Sequence, residues 1–239
     1  MYIEGAIAVK SAIHNRKRKV SCVYIDKAKK TKDFNYIRQL CKKLNIKVKE
    51  CERLIIDEIA SGKSHGGIVA DVEKRQYQKL EVLLKNDNVF YVDGIEDPFN
   101  LGYVFRTLYA FGFSSVILRQ YDYEKLEGTL LKSSAGAFDC LDIYLCDDIN
   151  KMLETTKQKG YQSFALYRNE EAKDLFVTKL PKKAVYLLGG EKRGIAASVL
   201  EDVDKLLYIP YGNNFKMALS AASAVDVLAT VVFQRRSYR

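Results

Sequence analysis

From residue 88 onward the chain alternates short apolar runs with segments of helical spacing, and this alternation limits the fold more than any other feature. Residues 89–92, 115–118, 141–145, 163–166, 184–188 and 205–209 read as strands. Residues 100–111, 123–132 and 150–159 have the period of helices, and 217–234 forms a last, longer one. Strands regularly separated by helices predict a parallel sheet covered by helices on both faces. The run Val185-Tyr186-Leu187-Leu188 is β-branched, aromatic and aliphatic, as a strand buried on both faces requires. A glycine-rich corner follows it, Gly189-Gly190-Glu191-Lys192-Arg193-Gly194. Glycine lets backbone approach a ligand closely, and ligands of open α/β sheets sit outside the carboxyl ends of strands. This stretch therefore reads as half of a small-molecule site. No G-x-G-x-x-G follows any strand, so a dinucleotide fold of the Rossmann type lacks its phosphate loop.

The first third differs in charge. Residues 1–86 hold 20 Lys and Arg against 10 Asp and Glu, whereas the rest holds 19 against 20. The whole positive excess lies in one region, which favours a polyanionic partner, because each phosphate neutralised releases counterions. A solvated lysine-rich surface is the plainer alternative. The run Arg16-Lys17-Arg18-Lys19 is its densest part. Helical spacing over 2–14, 34–44 and 53–60 and strand patterns at 20–25, 46–48 and 67–72 predict a small basic α/β domain over 1–75. Residues 73–87, charged and free of Gly and Pro, predict a helical connector, with 76–87 as linker and 88–239 as the second domain. Gly62-Lys63-Ser64 is no Walker loop, since Asp57 stands where its first glycine belongs, and His65 reads as an incidental loop residue.

The 5 cysteines are odd in number and scattered without CxxC spacing. Reduced thiols in a cytoplasmic protein, with neither disulfides nor a metal site, fit best. Glu4 and Lys10 interrupt any signal-peptide core, and Ser220, Ser223 and Asp226 punctuate the one long apolar helix, so no membrane association is expected.

Three polar residues stand where chemistry could be done. Asn100 follows Pro98 in a strand-to-helix loop and could cap the helix. Arg106 lies off the apolar stripe of Leu101, Val104, Phe105 and Leu108; it reads as a solvated charge or as a bidentate phosphate grip. Glu191 stands in the glycine corner and reads as a site acid or as a turn acid paired with a neighbouring cation. The final helix is apolar on nearly every side, which predicts burial in the core or in a partner subunit.

Together these motifs resemble the SpoU (TrmH-type) branch of the SPOUT RNA methyltransferases. Asn100-Leu101-Gly102 through Arg106-Thr107 to Phe111-Gly112 is similar to the family's first motif. Ser134-Ala135-Gly136-Ala137 is similar to its mid-domain signature, and Leu188 to Gly194 to its second motif. Ile209-Pro210 and the stretch at Met217 resemble the third, although Lys216-Met217-Ala218-Leu219-Ser220 stands where the family reads Ser-Leu-Asn-Val-Ser. Ser64-His65-Gly66-Gly67-Ile68 resembles the junction after the family's substrate-binding domain. The resemblance implies a SPOUT-type parallel sheet with a C-terminal trefoil knot, preceded by a small L30e-like α/β domain. It implies homodimers and S-adenosyl-L-methionine held at Leu188, Gly189, Ile209, Met217 and Leu219. It implies methyl transfer to a ribose 2′-hydroxyl, with Asn100, Arg106 and Glu191 as catalytic residues. RNA would be held by Arg16, Lys17, Arg18, Lys19 and Arg193, and domain size points to ribosomal RNA ahead of tRNA. The other reading is a SPOUT-fold RNA-binding protein with little or no transferase activity.

Overall fold

The computed structural model describes residues 1–62, 64–190 and 194–237. In chain order the elements are β1 (Tyr2–Glu4), α1 (Ala6–Asn15), β2 (Val20–Asp26), α2 (Lys32–Lys43), β3 (Lys47–Cys51), α3 (Arg53–Ile59), β4 (Ile68–Val72), α4 (Leu80–Leu83), β5 (Asn88–Val92), α5 (Pro98–Ala110) and β6 (Ser115–Arg119). There follow α6 (Glu127–Ser133), β7 (Asp142–Cys146), α7 (Ile149–Gln158), β8 (Gln162–Leu166), β9 (Lys173–Asp174), β10 (Ala184–Leu188), α8 (Ala197–Asp202), β11 (Lys205–Tyr208) and α9 (Ala221–Ser237). Contacts divide them into two units, 1–76 with 123–140, and 77–122 with 141–239. A single cut along the chain, as the sequence suggests, would place 123–140 in the second unit; its contacts lie in the first.

The first unit is built on a four-stranded sheet in the order β1-β4-β2-β3. β4 runs antiparallel to both β1 and β2, and β3 runs parallel to β2. Residues 2–14 are not one helix. Gly5, at φ +89°, turns the chain between β1 and α1, and the backbone of Tyr2 to Glu4 pairs with β4 instead of continuing a helix. One sheet face, carrying Ile3, Val23, Ile25, Ala70 and Val72, is buried under α1 and α2, which contribute Ala8, Val9, Ala12, Ile13 and Ile37. α3 packs on β2 and β4. Its Arg53 lies 3.9 Å from Asp26, so it covers that end of the opposite face.

α6 and the turn after it dock onto α1. Gly136 makes this contact possible. A Cβ there would lie 2.2 Å from the Ser11 hydroxyl oxygen, which donates instead to the Gly136 carbonyl at 2.8 Å. Behind them lies a buried ionic cluster. Arg18 donates to Glu127 at 2.8 Å and to Asp139 at 2.6 Å, with all three side chains nearly inaccessible. Arg75 adds a bond to the Phe138 carbonyl at 2.6 Å and stacks its guanidinium on that ring at 4.3 Å. The attraction of Asp139 and Glu127 outweighs the cost of burying the Arg18 cation, and its pKa stays above the usual arginine value.

The second unit is a seven-stranded, all-parallel sheet in the order β7-β6-β5-β10-β8-β11-β9. Alternation along each strand feeds two cores. On one face Val89, Tyr91, Ile117, Ala165, Val185 and Leu187 pack with Leu80, Leu83, Met152, Leu153 and Val199 from α4, α7 and α8. Phe90, Phe164 and Tyr186 lie in the alternate positions; Tyr186 meets Phe90 tilted at 5.2 Å and stacks on Phe164 at 5.7 Å, and Phe113 joins Phe90 at 4.9 Å. The connector at 73–87 is helical only over α4. Its backbone bonds outward, Glu73 to Lys19 and Gln78 to Ile143, in place of closing helical turns. The last helix begins at Ala221, not at 217, because the Ser220 hydroxyl accepts from the Ser223 amide at 3.2 Å. It is not buried all round: Val225, Leu228, Ala229 and Val232 are buried, whereas Asp226, Thr230 and Phe233 are exposed. Among the described residues no helix is long and apolar enough to cross a membrane.

Candidate active site

An apolar-walled hollow of the second unit lies where β8, β10 and β11 end. Leu166 closes β8, Leu188 closes β10, and Leu207 and Tyr208 close β11. β10 reaches its place between β5 and β8 only after the chain has laid down β8 and β9, so strand order reverses here and opens a crevice at the carboxyl ends. The cavity holds about 410 Å³ and includes Leu188, Gly189, Gly190, Ile209, Tyr211 and Leu219 in its wall.

The glycine corner is needed for steric reasons. A Cβ on Gly189 would lie 2.3 Å from the Gly194 carbonyl carbon, and one on Gly190 would lie 1.9 Å from the Gly94 carbonyl oxygen. Backbone therefore passes backbone at van der Waals distance, and the loop after β5 backs the loop after β10. The far wall is held by side chains. The Tyr211 hydroxyl accepts from the Leu219 amide at 3.0 Å, and Arg168 stacks on the Tyr211 ring at 4.6 Å. Among its described lining residues the charged ones are Arg168 and Lys216, both cations. The wall is thus largely apolar, with a glycine corner on one side and two cations.

Of the residues singled out in the sequence, Leu188, Gly189, Ile209 and Leu219 line this one cavity. Met217 does not; it is 67% exposed. Tyr167, Arg168 and Tyr211 line it without having been singled out. The end of β8 was a signal for the first two, since a switch point takes ligand contacts from both strands beside it.

Asn100 and Arg106 lie on α5, outside the cavity lining. Asn100 is not the helix cap. Asp97 caps the helix, accepting from the Phe99 amide at 3.0 Å, with Pro98 in the first turn, and Asn100 sits half-buried inside that turn. Arg106 is exposed between Tyr103 and Tyr109 and makes no hydrogen bond or ion pair among the described residues. On the adjoining side Thr107 donates to Asp226 at 2.6 Å, tying α5 to α9. Glu191 and Arg193 lie outside the described residues. In the first unit Arg16, Lys17 and Lys19 are exposed, but Arg18 is 6% exposed and committed to Glu127 and Asp139. Four adjacent cations read alike in sequence; the turn after α1 directs one of them into the cluster, where it cannot meet RNA.

A model of the SpoU rRNA Methylase family matches residues 87–230, and a model for RNA 2′-O ribose methyltransferase substrate binding matches residues 2–78. The chain is 26% identical over 236 residues to the 23S rRNA (guanosine-2′-O-)-methyltransferase RlmB of Haemophilus ducreyi, covering 96% of each. It is 31% identical to an uncharacterized tRNA/rRNA methyltransferase of Borreliella burgdorferi, covering 79% of this chain and 86% of that one. Its fold is similar to that of the SpoU methyltransferase AviRb from Streptomyces viridochromogenes, solved with AdoMet, at a TM-score of 0.81 and 16% identity, covering 99% of this chain and 90% of that one.

Proposed function

The chain belongs to the SpoU rRNA methylase family, and from that premise we propose how it acts as an S-adenosylmethionine-dependent RNA ribose 2′-O-methyltransferase, with ribosomal RNA as substrate. The observation that carries the reading is the cavity at the ends of β8, β10 and β11. Its volume suits a nucleoside-sized ligand. Leu188, Leu207 and Leu219 offer apolar wall for a purine ring, and Gly189 and Gly190 bring backbone to the cavity with no side chain in the way. These residues fit the cofactor, which supplies a methyl carbon made electrophilic by a sulfonium.

The chain's own contribution is placement. An in-line displacement needs the 2′-hydroxyl aimed at that carbon, and holding reactants so can supply much of the acceleration. A guanidinium offers a rigid fork of donors that matches a phosphate, so Arg106 serves by gripping a phosphate and stabilising developing negative charge. Asn100, six residues earlier on α5, steadies the same nucleotide. Neither lines the cavity of its own chain, which supports a homodimer in which the outward face of α5, with Tyr103 and Tyr109, packs against a second copy. The exposed Phe233 on α9 extends that face. The return of α9 to pack on α5, after β11 has been laid outside β8, supports a C-terminal trefoil knot. The first unit serves as an L30e-like RNA-binding domain, with Arg16, Lys17 and Lys19 on phosphates. The relative named for 23S rRNA supports ribosomal RNA over tRNA, and a cytoplasmic setting follows from that substrate.

Calorimetry with S-adenosylmethionine tests the cavity, and labelled methyl transfer to unmodified 23S rRNA and to tRNA tests the substrate. The reading expects binding, and transfer to 23S rRNA. Binding without transfer to either would favour an RNA-binding protein of this fold, and no binding would overturn the enzyme reading.

A further inference from the structure

We propose that the open face of the first unit's sheet is a stacking platform for single-stranded RNA, built on Tyr2 and Tyr24 with Lys47 and Lys49 beside them. The proposal deepens the RNA-methyltransferase reading and rests on it for the identity of the polyanion. Register places these residues on one face. Tyr2 pairs with Asp71 and Asp71 with Cys22, while Cys22 pairs with Lys47 and Tyr24 with Lys49 across the parallel ladder. The other face is filled by α1 and α2, and α3 covers only the end at Asp26. Near the other end Tyr2 remains 43% exposed and Tyr24 half-buried.

The two rings meet edge to face, with centroids 6.3 Å apart and planes at 73°. Such an arrangement leaves a ring face of Tyr2 for a base to stack on. The Lys49 ammonium lies 5.3 Å from the centre of the Tyr24 ring, which places a cation beside the aromatic surface as a phosphate would require. Of the acids on this face, Asp71 lies 3.7 Å from the ammonium of Met1, Glu4 accepts from the Gly62 amide at 3.1 Å, and Asp26 lies 3.9 Å from Arg53 at the covered end. The Tyr24 hydroxyl is held above its ordinary pKa, first by burial and then by Cys22, Tyr2 and Asp71, so it stays a neutral donor. Lysines on an edge strand such as β3 guard against strand addition, and that alone would account for Lys47 and Lys49. It does not account for two tyrosines on the same face. Aromatic rings interleaved with cations on an open sheet are how single-stranded RNA is held, because every base has a π-face and every nucleotide a phosphate.

The test uses the full chain, a labelled single-stranded RNA of about a dozen nucleotides and the matching duplex, at fixed salt. Tyr24→Leu and Tyr2→Leu are expected to weaken single-strand binding about 5- to 150-fold each. Tyr24→Phe, which keeps the ring, is expected to stay within about twofold of the parent. Wild-type affinity in both leucine variants, or a parent chain that binds only duplex, would overturn the platform. Should a leucine variant fail to fold, 4-thiouridine crosslinking of the parent chain decides. Adducts on peptides holding Tyr2, Tyr24 or Lys49 support it, and adducts confined to α1, α2 or residues 16–19 overturn it. Self-association lost in Tyr24→Leu would assign the face to a second copy and overturn it too. Calorimetry with S-adenosylmethionine on the same variants separates the two readings. Cofactor binding with unaltered RNA affinity removes the platform and leaves the enzyme; no cofactor binding removes the enzyme and leaves the RNA measurement standing.

Discussion

Arg106 and Arg18 are both arginines of a basic protein, and their surroundings give them opposite work. Arg106 is exposed on α5 without an ionic partner among the described residues, which leaves it available to a nucleotide. Arg106→Ala is therefore expected to reduce methyl transfer at least 100-fold while cofactor affinity in calorimetry stays within about twofold, because losing a positioning contact costs rate and not cavity. Normal turnover would remove Arg106 from the mechanism. Arg18 is sealed against Glu127 and Asp139. Removing one partner of a buried ion pair leaves uncompensated charge and costs about 3–5 kcal/mol. Arg18→Met is expected to lower the denaturation midpoint accordingly, and the triple variant with Glu127→Gln and Asp139→Asn to recover a large part. A midpoint unchanged in the single variant would show that the cluster contributes nothing.

At the scale of elements, β2, α2, β7 and the glycine corner are each legible in sequence, since period and glycine placement report local geometry. Boundaries set by pairing across the chain are not. The three residues of β1 carry no strand signal of their own, and β4 decides their conformation. The start of α9 at Ser220 was written in a serine three residues before an amide it could cap, but the apolar run preceding it masked the signal. Ser220→Ala is expected to destabilise the second unit by about 1 kcal/mol, as loss of an N-cap does, read from denaturant melts. Burial also sets the thiols of two elements apart. Desolvation pushes Cys41 on α2 and Cys146 on β7 up to about 11, from an ordinary 9.0. The folded state thus favours the protonated thiols, and their contribution to stability is full below pH 9.0 and is lost as pH rises towards about 11. In the native protein at pH 8 both should resist alkylation in mass-spectrometric footprinting and react once the chain is unfolded; prompt native labelling would contradict this.

At the scale of the molecule, the division into units follows contacts, not sequence order, because residues 123–140 return to the first unit. Nothing local in Glu127 or Asp139 announces that they answer Arg18, more than 100 positions earlier. The cavity was more legible, since strand ends and glycines mark it in sequence, whereas Tyr211 reaches its wall only through topology. The central claim is that this molecule places a methyl group on a ribose hydroxyl, and the nature of the product tests it most directly. Ribosomal RNA methylated by the protein with labelled S-adenosylmethionine should, on alkaline hydrolysis, carry its label in a dinucleotide that resists cleavage, because a 2′-O-methyl group removes the nucleophile that cuts the chain. Label recovered in mononucleotides would place the methyl group on a base and contradict the account.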